Sequence, residues 1–281
     1  MHKLDLNESV STVSENVCAV LALPRPPEEL SAIDWYWEKI CGVPLLVRNI
    51  ISLQRAGLKS LLIYHNGEGA ELYKRLGEEK KISIKLNWIT DASEVIKSIE
   101  NYPALIFNGA ALHSKQEIQS AMDSMTNNIE TSLRYIERDA MTESLNQIIL
   151  GNELSLTQSV GDQELSVAFL PGKEDRRMSK PQDFLTQHER LLKGSGLSND
   201  TFMDRTVTRF FSRQFTRLFL QTPLSPNMIT LLSLVIGLIS ALYFFQGTYE
   251  NSIIGSGLLL LSAWIDCTDG EIARLKFMES K

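Results

Sequence analysis

Residues 228–245 read MITLLSLVIGLISALYFF, and residues 251–265 read NSIIGSGLLLLSAWI. The first run holds no charged residue and approaches the ~20 residues a helix needs to cross a ~30 Å hydrocarbon core. Pro226 just ahead of it suits the first turn of a helix. The second run is shorter and passes straight into acidic residues at Asp266 and Asp269. The turn between them, residues 246–250, has no Lys or Arg, whereas arginines precede the first run and Arg274 and Lys276 follow the second. The positive-inside bias then puts both outer ends in the cytoplasm. The pattern predicts a multi-pass protein of the cytoplasmic (inner) membrane with its N-terminal region in the cytoplasm. A buried helix of a soluble core is the alternative for a run of this apolarity.

Immediately upstream, residues 204–222 read DRTVTRFFSRQFTRLFLQT. Arg205, Arg209, Arg213 and Arg217 recur every four residues, which makes one basic stripe on a helix. Val207, Phe211, Phe215 and Leu218 fall on roughly the opposite side. A basic amphipathic helix just before an apolar run suits the membrane interface. A solvated helix with a core-facing aromatic side would show the same spacing.

The rest of the chain is different in texture. Among 281 residues, 43% are hydrophobic and 22% charged, an average that hides the apolar stretch from Met228 on. The net charge of -6 and the lack of a basic block argue against a nucleic-acid partner. Cys18, Cys41 and Cys267 are few, odd in number and far apart, which points to a reducing compartment. Residues 1–15 are polar and carry no signal-peptide pattern.

Short apolar runs at 16–23, 60–64, 85–89 and 104–107 predict buried strands. Helical spacing at 44–56, with Gly57 as C-cap, and helix-like segments at 71–78 and 93–100 separate them. Strands alternating with helices predict a three-layer α/β domain with a parallel-rich sheet. Residues 116–150 are helical and polar in texture, 151–180 less regular, 183–193 a short helix and 194–200 a linker. The expected organisation is an α/β domain over 1–180, a linker over 181–203, the amphipathic helix over 204–222 and an apolar helical segment over 223–281.

The chemistry sits where the second apolar run ends, at Asp266-Cys267-Thr268-Asp269-Gly270-Glu271-Ile272-Ala273-Arg274. Two carboxylates three apart share a helix face. Acids at the end of a membrane helix are costly and usually functional. Paired carboxylates suit Mg²⁺, which binds through one or two carboxylates and substrate phosphates. Gly270 lets a ligand approach the backbone, and Ala273 keeps the same face open. Arg274 can pair with a phosphate. Metal-assisted phosphoryl transfer at the cytoplasmic membrane surface is the chemistry these residues suit.

This spacing resembles the signature of the CDP-alcohol phosphotransferases, D-x-x-D-G-x-x-A-R, then eight residues, then G-x-x-x-D-x-x-x-D. All five fixed positions of the first half are present, and Ser225-Pro226-Asn227 with Thr230 resembles the family's entry into its first membrane helix. The likeness covers roughly residues 183–281. It implies that Asp266 and Asp269 hold a divalent metal, Mg²⁺ or Mn²⁺, over the CDP pyrophosphate. It implies that Gly270, Ala273 and Arg274 form part of the nucleotide pocket. The implied partners are a CDP-alcohol donor, an alcohol or phospho-alcohol acceptor and membrane lipid; the family is often dimeric, so a homodimer is possible. The second half of the signature would begin about two residues past Lys281, and the family's membrane domain has six helices. A general-base aspartate is therefore expected beyond Lys281, with this chain a fragment that does not turn over.

The N-terminal order is similar to sugar-phosphate nucleotidyltransferases, on Gly42-Val43-Pro44-Leu45-Leu46 and on ALIFNGA at 104–110. Bifunctional enzymes that make and use CDP-inositol have this layout. The residues that carry nucleotidyl transfer are replaced, however. The loop after the first strand is Leu23-Pro24-Arg25-Pro26-Pro27, and proline has no N–H to offer a phosphate. Leu45 stands where the resemblance expects a lysine, and Ala110 where it expects a metal-binding aspartate. A degenerate, inactive domain is expected. His65, His113 and His188 are scattered and read as surface or loop residues; Asp139 and Glu143 read as a solvated helix face; Trp35, Trp37 and Trp88 read as soluble core. Three functions remain open. They are a CDP-alcohol transferase, a non-catalytic membrane-anchored nucleotidyltransferase-like protein, and an active cytidylyltransferase on an anchor.

Overall fold

The computed structural model describes residues 17–27, 30–65, 67, 69–127, 133–152, 166–195 and 209–279. The first apolar run forms β1 (Cys18–Leu23). Helix α1 (Ala32–Tyr36) follows, capped by Ser31, whose hydroxyl accepts from the Asp34 N–H. A hairpin of β2 (Lys39–Ile40) and β3 (Val43–Pro44) turns at Cys41 and Gly42, both at positive φ, 49° and 77°. Helix α2 (Leu45–Arg55) then leads through Gly57, φ 108°, to β4 (Ser60–His65). Next come α3 (Ala70–Gly77), β5 (Lys85–Ile89), α4 (Ala92–Ile99), β6 (Ala104–Asn108) and α5 (Lys115–Asn127). Strand β7 (Arg134–Ile136), helix α6 (Met141–Leu150), β8 (Val167–Leu170) and α7 (Pro181–Gly194) follow.

The sheet runs β5-β4-β1-β6-β8-β7, parallel throughout except for the antiparallel β7–β8 pair. Alternate residues of its strands face opposite layers. Val20, Ala22, Leu62, Tyr64, Ile106 and Phe169 pack with Val95 and Ile99 of α4 and with Leu145 and Ile148 of α6. The intervening residues, among them Leu21, Ile63, Leu105 and Phe107, are fully buried on the other side. With both faces covered, the strands read as unbroken apolar runs. This is the three-layer α/β arrangement.

Two stretches differ from expectation. Residues 116–150 are not one helical region: α5 gives way to β7, a 3-10 turn (Arg138–Ala140) and α6. Asp139 and Glu143 therefore belong to different elements. The irregular 151–180 contains β8, which fills the sheet between β6 and β7. Arg-Tyr-Ile and Val-Ala-Phe-Leu are too short to show a period. His65 and His113 are buried, not superficial. The His65 ring lies against Gly69, where a Cβ would come within 2.3 Å of it, and meets Trp88 edge-on. His113 donates from Nε2 to the Asn108 carbonyl, 2.9 Å away.

The chain divides into two compact units, Met1–Glu38 with Pro44–Phe184 and Lys39–Val43 with Leu185–Lys281. The second contains α8 (Arg209–Leu220), α9 (Pro226–Phe245) and α10 (Tyr249–Leu275). Both α9 and α10 are long and apolar enough to cross a membrane. Helices α9 and α10 form an antiparallel pair joined by a short turn. Ser225 caps α9 and Thr248 caps α10, each accepting from the backbone N–H three residues on. Small residues bring the pair close. Ser240 donates to the Gly255 carbonyl at 2.7 Å and Ser262 to the Ser233 carbonyl at 2.8 Å. A Cβ on Gly237 would sit 3.2 Å from Ser262 Oγ, and one on Gly255 3.2 Å from the Phe244 ring.

Helix α8 buries Ser212, Thr216 and Phe219, whereas Phe210 and Leu218 stay exposed. Phe211 stacks on Trp264 of α10, ring centres 4.1 Å apart. Arg205 and Val207 lie outside the described residues. Two other members of the basic stripe hold α7: Arg217 pairs with Glu189 at 2.5 Å and Arg213 donates to the Lys193 carbonyl at 3.3 Å.

Burial holds both His65 and His113 below the ordinary histidine pKa of 6.5. At His113 the hydrogen bond to Asn108 and the nearby Glu117 work against that shift. The unfolded chain therefore takes up protons that the folded one refuses. Stability should be full above about pH 6.5 and fall as pH drops through the lowered values. Thermal melts between pH 5 and 8 should show this slope, and the His65→Gln/His113→Gln double variant should flatten it.

Candidate active site

The apolar segment of α10 does not end where its acids begin. The helix runs on unbroken from Ile265 through Asp266 to Leu275. Asp266, Asp269, Gly270, Ala273 and Arg274 therefore fall at i, i+3, i+4, i+7 and i+8, one continuous face. The opposite face carries Thr268, Glu271, Ile272 and Leu275, all buried. Asp266 is exposed and Asp269 half-buried. The helix then stops cleanly. Phe277 takes φ 55°, and the N–H groups of Phe277 and Met278 close back on the carbonyls of Arg274 and Ala273. This is a Schellman cap with phenylalanine where glycine is usual.

Helix α9 supplies hydroxyls to this face. Thr230 Oγ1 donates to Asp269 Oδ2. Ser233 Oγ donates to the Thr230 carbonyl at 2.8 Å and lies 3.3 Å from Asp266 Oδ1. Arg274 is anchored through one nitrogen: its Nε donates to the Ser195 carbonyl at 3.1 Å. A Cβ on Gly270 would stand 3.4 Å from Arg274 Nη1, so the guanidinium lies over the glycine. Among the described residues, no group of three or more His, Cys, Asp or Glu side chains is placed to hold a metal. A divalent ion here would have the two carboxylates as protein ligands. That matches Mg²⁺, which keeps waters and takes substrate phosphates for its remaining positions.

Sequence reasoning brought these five residues to one face. It gave no role to Thr230, which belongs to the Ser225–Thr230 pattern, nor to Ser233 and Glu271. Hydroxyls inside a membrane-type helix and a third acid after Asp269 were the available signals.

The α/β unit has a cavity of its own, about 320 Å³, lined among others by Leu23, Pro24, Pro26, Tyr36, His65 and Leu72. It opens at the C-terminal ends of β1 and β4, where open α/β sheets take ligands. Its loop offers little to an anion. Pro24, Pro26 and Pro27 have no N–H, and the Arg25 N–H is used by the Ile149 carbonyl at 2.7 Å. Tyr36 donates its hydroxyl to the Pro24 carbonyl. Leu45 is fully buried and Ala110 nearly so.

Residues 223–281 match the family model described as CDP-alcohol phosphatidyltransferase. A curated relative from Rubrobacter xylanophilus, named bifunctional IPC transferase and DIPP synthase, is 30% identical over 129 residues. That match takes in 46% of this chain and 29% of the relative, so the chain spans well under half of it. Among solved structures, a nucleotidyl transferase from Methanothermobacter aligns with 64% of this chain and 99% of its own, at 9% identity and TM-score 0.40. A 4-diphosphocytidyl-2C-methyl-D-erythritol synthase from Anaerococcus prevotii aligns with 63% and 98%, at 10% identity and TM-score 0.38. The matched segment contains the whole α9–α10 hairpin and every residue of the acidic face.

The proline loop gives a direct expectation for the other unit. Calorimetric titration of CTP with Mg²⁺ into the α/β unit's cavity should show no saturable binding at micromolar concentrations. To separate this cavity from the acidic face, the titration is run on the Asp266→Asn/Asp269→Asn variant.

Proposed function

We propose that this chain carries the donor-nucleotide side of a CDP-alcohol phosphotransferase site, which moves a substituted phosphate to an acceptor hydroxyl and releases CMP. One observation carries this reading: Asp266, Asp269, Gly270, Ala273 and Arg274 form a single face of α10, and α9 holds Asp269 through Thr230. Helices α9 and α10 would span the membrane. In each, only 17% of the most apolar window is buried, unlike the core helix of a soluble protein. The α/β unit would lie in the cytoplasm.

Asp266 and Asp269 would hold Mg²⁺ or Mn²⁺ against the donor pyrophosphate. The metal, when bound, neutralises the pyrophosphate and stabilises the leaving group. Thr230 fixes the Asp269 carboxylate through its hydroxyl. Arg274, pinned through Nε, has its terminal nitrogens left for a phosphate oxygen. Gly270 and Ala273 leave room above the helix for the nucleotide. The acceptor oxygen forms a bond to the phosphorus that carries the donor alcohol. The bond from that phosphorus to CMP breaks, and the hydroxyl proton goes to a base. Family resemblance assigns the base to an aspartate of the G-x-x-x-D-x-x-x-D half-motif, which residues 1–281 do not contain. The product would be a phosphodiester lipid or polar head group, and inositol phosphate, glycerol phosphate and diacylglycerol-type acceptors all fit. A homodimer is compatible with this reading.

A non-catalytic anchor for the α/β unit is the second reading. Asp266 and Asp269 at the end of an apolar helix weigh against it, because an anchor has no need of such acids.

Detergent-solubilised protein titrated with CDP separates the two. Saturable, Mg²⁺-dependent binding is expected, and Asp269→Asn or Arg274→Ala should weaken it at least about tenfold. Gly270→Ala should weaken binding similarly while raising helix stability by up to about 1 kcal/mol, because glycine is the poorer helix former. No CDP binding would rule out the transferase reading. Metal-dependent CMP release by residues 1–281 alone would show that the base lies within them.

A further inference from the structure

Glu271 is fully buried on the face of α10 that points away from the motif. Its two carboxylate oxygens are held separately. Ser212 donates to Oε1 at 2.8 Å and Thr216 to Oε2 at 2.6 Å, both from α8. Thr268, one turn earlier, reaches the Ser212 carbonyl at 3.3 Å. An apolar cluster of Phe219, Ile229, Ile265 and Ile272 packs between α8, α9 and α10 of this unit. A carboxylate in such a place is expensive to bury, and apolar groups of the same size usually hold helices together at least as well. What the carboxylate adds is direction. Two hydroxyls spaced i, i+4 on α8 must both meet one planar group, which fixes the rotation and height of α8 against α10.

The rest of the unit carries that placement round to the motif. Helix α8 grips the end of α7 through Arg217 to Glu189 and Arg213 to the Lys193 carbonyl. The Ser195 carbonyl, immediately after α7, takes the Nε–H of Arg274. The circuit starts on the back of α10 and returns to its front.

We propose that Glu271 is a positioning residue for Arg274. It sets α8, α8 sets the end of α7, and the Ser195 carbonyl there aims the Arg274 guanidinium over Gly270. This rests on the transferase reading, in which Arg274 meets a phosphate.

The test is Mg²⁺–CDP binding and thermal melting of the intact chain in detergent, for wild type and variants. Glu271→Leu should melt at or above the wild-type temperature yet bind Mg²⁺–CDP roughly tenfold more weakly. Glu271→Gln keeps the shape and one acceptor, and should recover binding to within about threefold of wild type. Ser212→Ala/Thr216→Val removes the same clamp from the other side and should reproduce the loss. Combining either clamp variant with Arg274→Ala should add no further loss, because both act through one guanidinium. Wild-type affinity in Glu271→Leu and in the Ser212/Thr216 variant would overturn the proposal. So would affinity that falls only in step with the melting temperature in both, which marks plain structural damage. Absence of CDP binding in wild type would instead sink the transferase reading on which it stands.

Discussion

Close contact between α9 and α10 governs what can happen at their ends. Gly237 and Gly255 remove the side chains that would keep the helices apart, and Ser240 and Ser262 cross the gap with hydrogen bonds. In a medium without a hydrophobic drive between helices, small residues and interhelical hydrogen bonds are what hold such a pair. Once those contacts fix the height of one helix against the other, Thr230 comes level with Asp269 and Ser233 with Asp266. The carboxylates are then aimed by a neighbour rather than left to rotate in solvent. The site inherits its precision from contacts several turns away.

The two units handle polar groups in opposite ways. In the α/β unit, the loop after β1 and the nearby core leave few polar groups free to meet a ligand. Leu45 and Ala110 are packed into the core, and the prolines after β1 leave Arg25 as a donor already engaged with α6. In the helical unit, polar residues have been kept at some cost: a carboxylate at zero exposure, hydroxyls inside apolar helices, an arginine tied to a carbonyl. Burial of polar groups that a simpler apolar packing would replace is a mark of a specified geometry.

Much of this is legible in the chain. Long apolar runs, the proline before α9 and the i, i+3, i+4, i+7, i+8 spacing of the acidic face are local patterns, and each follows from one helix or strand alone. What stays hidden is pairing. Val-Ala-Phe-Leu at β8 becomes a strand because a gap in the sheet lies between β6 and β7, and no short window shows that gap. His65 and His113 look superficial in sequence because their burial comes from residues brought to them, Trp88 and Gly69 for one, Asn108 and Phe107 for the other. Ser212 and Thr216 read as minor interruptions of an aromatic face until Glu271 is seen to meet them.

With α9 and α10 in a membrane, as proposed, their unequal lengths would give the bilayer a part in the chemistry. Helix α9 has 20 residues, about 30 Å, and α10 has 27, about 40 Å. A bilayer matched to α9 would leave roughly 10 Å of α10 outside the hydrocarbon, with Asp269, level with Thr230, near the boundary and Arg274 beyond it. A thicker bilayer would draw these acids toward the acyl chains, away from the water and cations that the proposed site needs. A thinner one lifts them clear but pulls lipid head groups below their reach. Hydrophobic mismatch is modest in energy per ångström, yet here it acts directly on the depth of the carboxylates. Lipid chain length would thereby become a control on the proposed site.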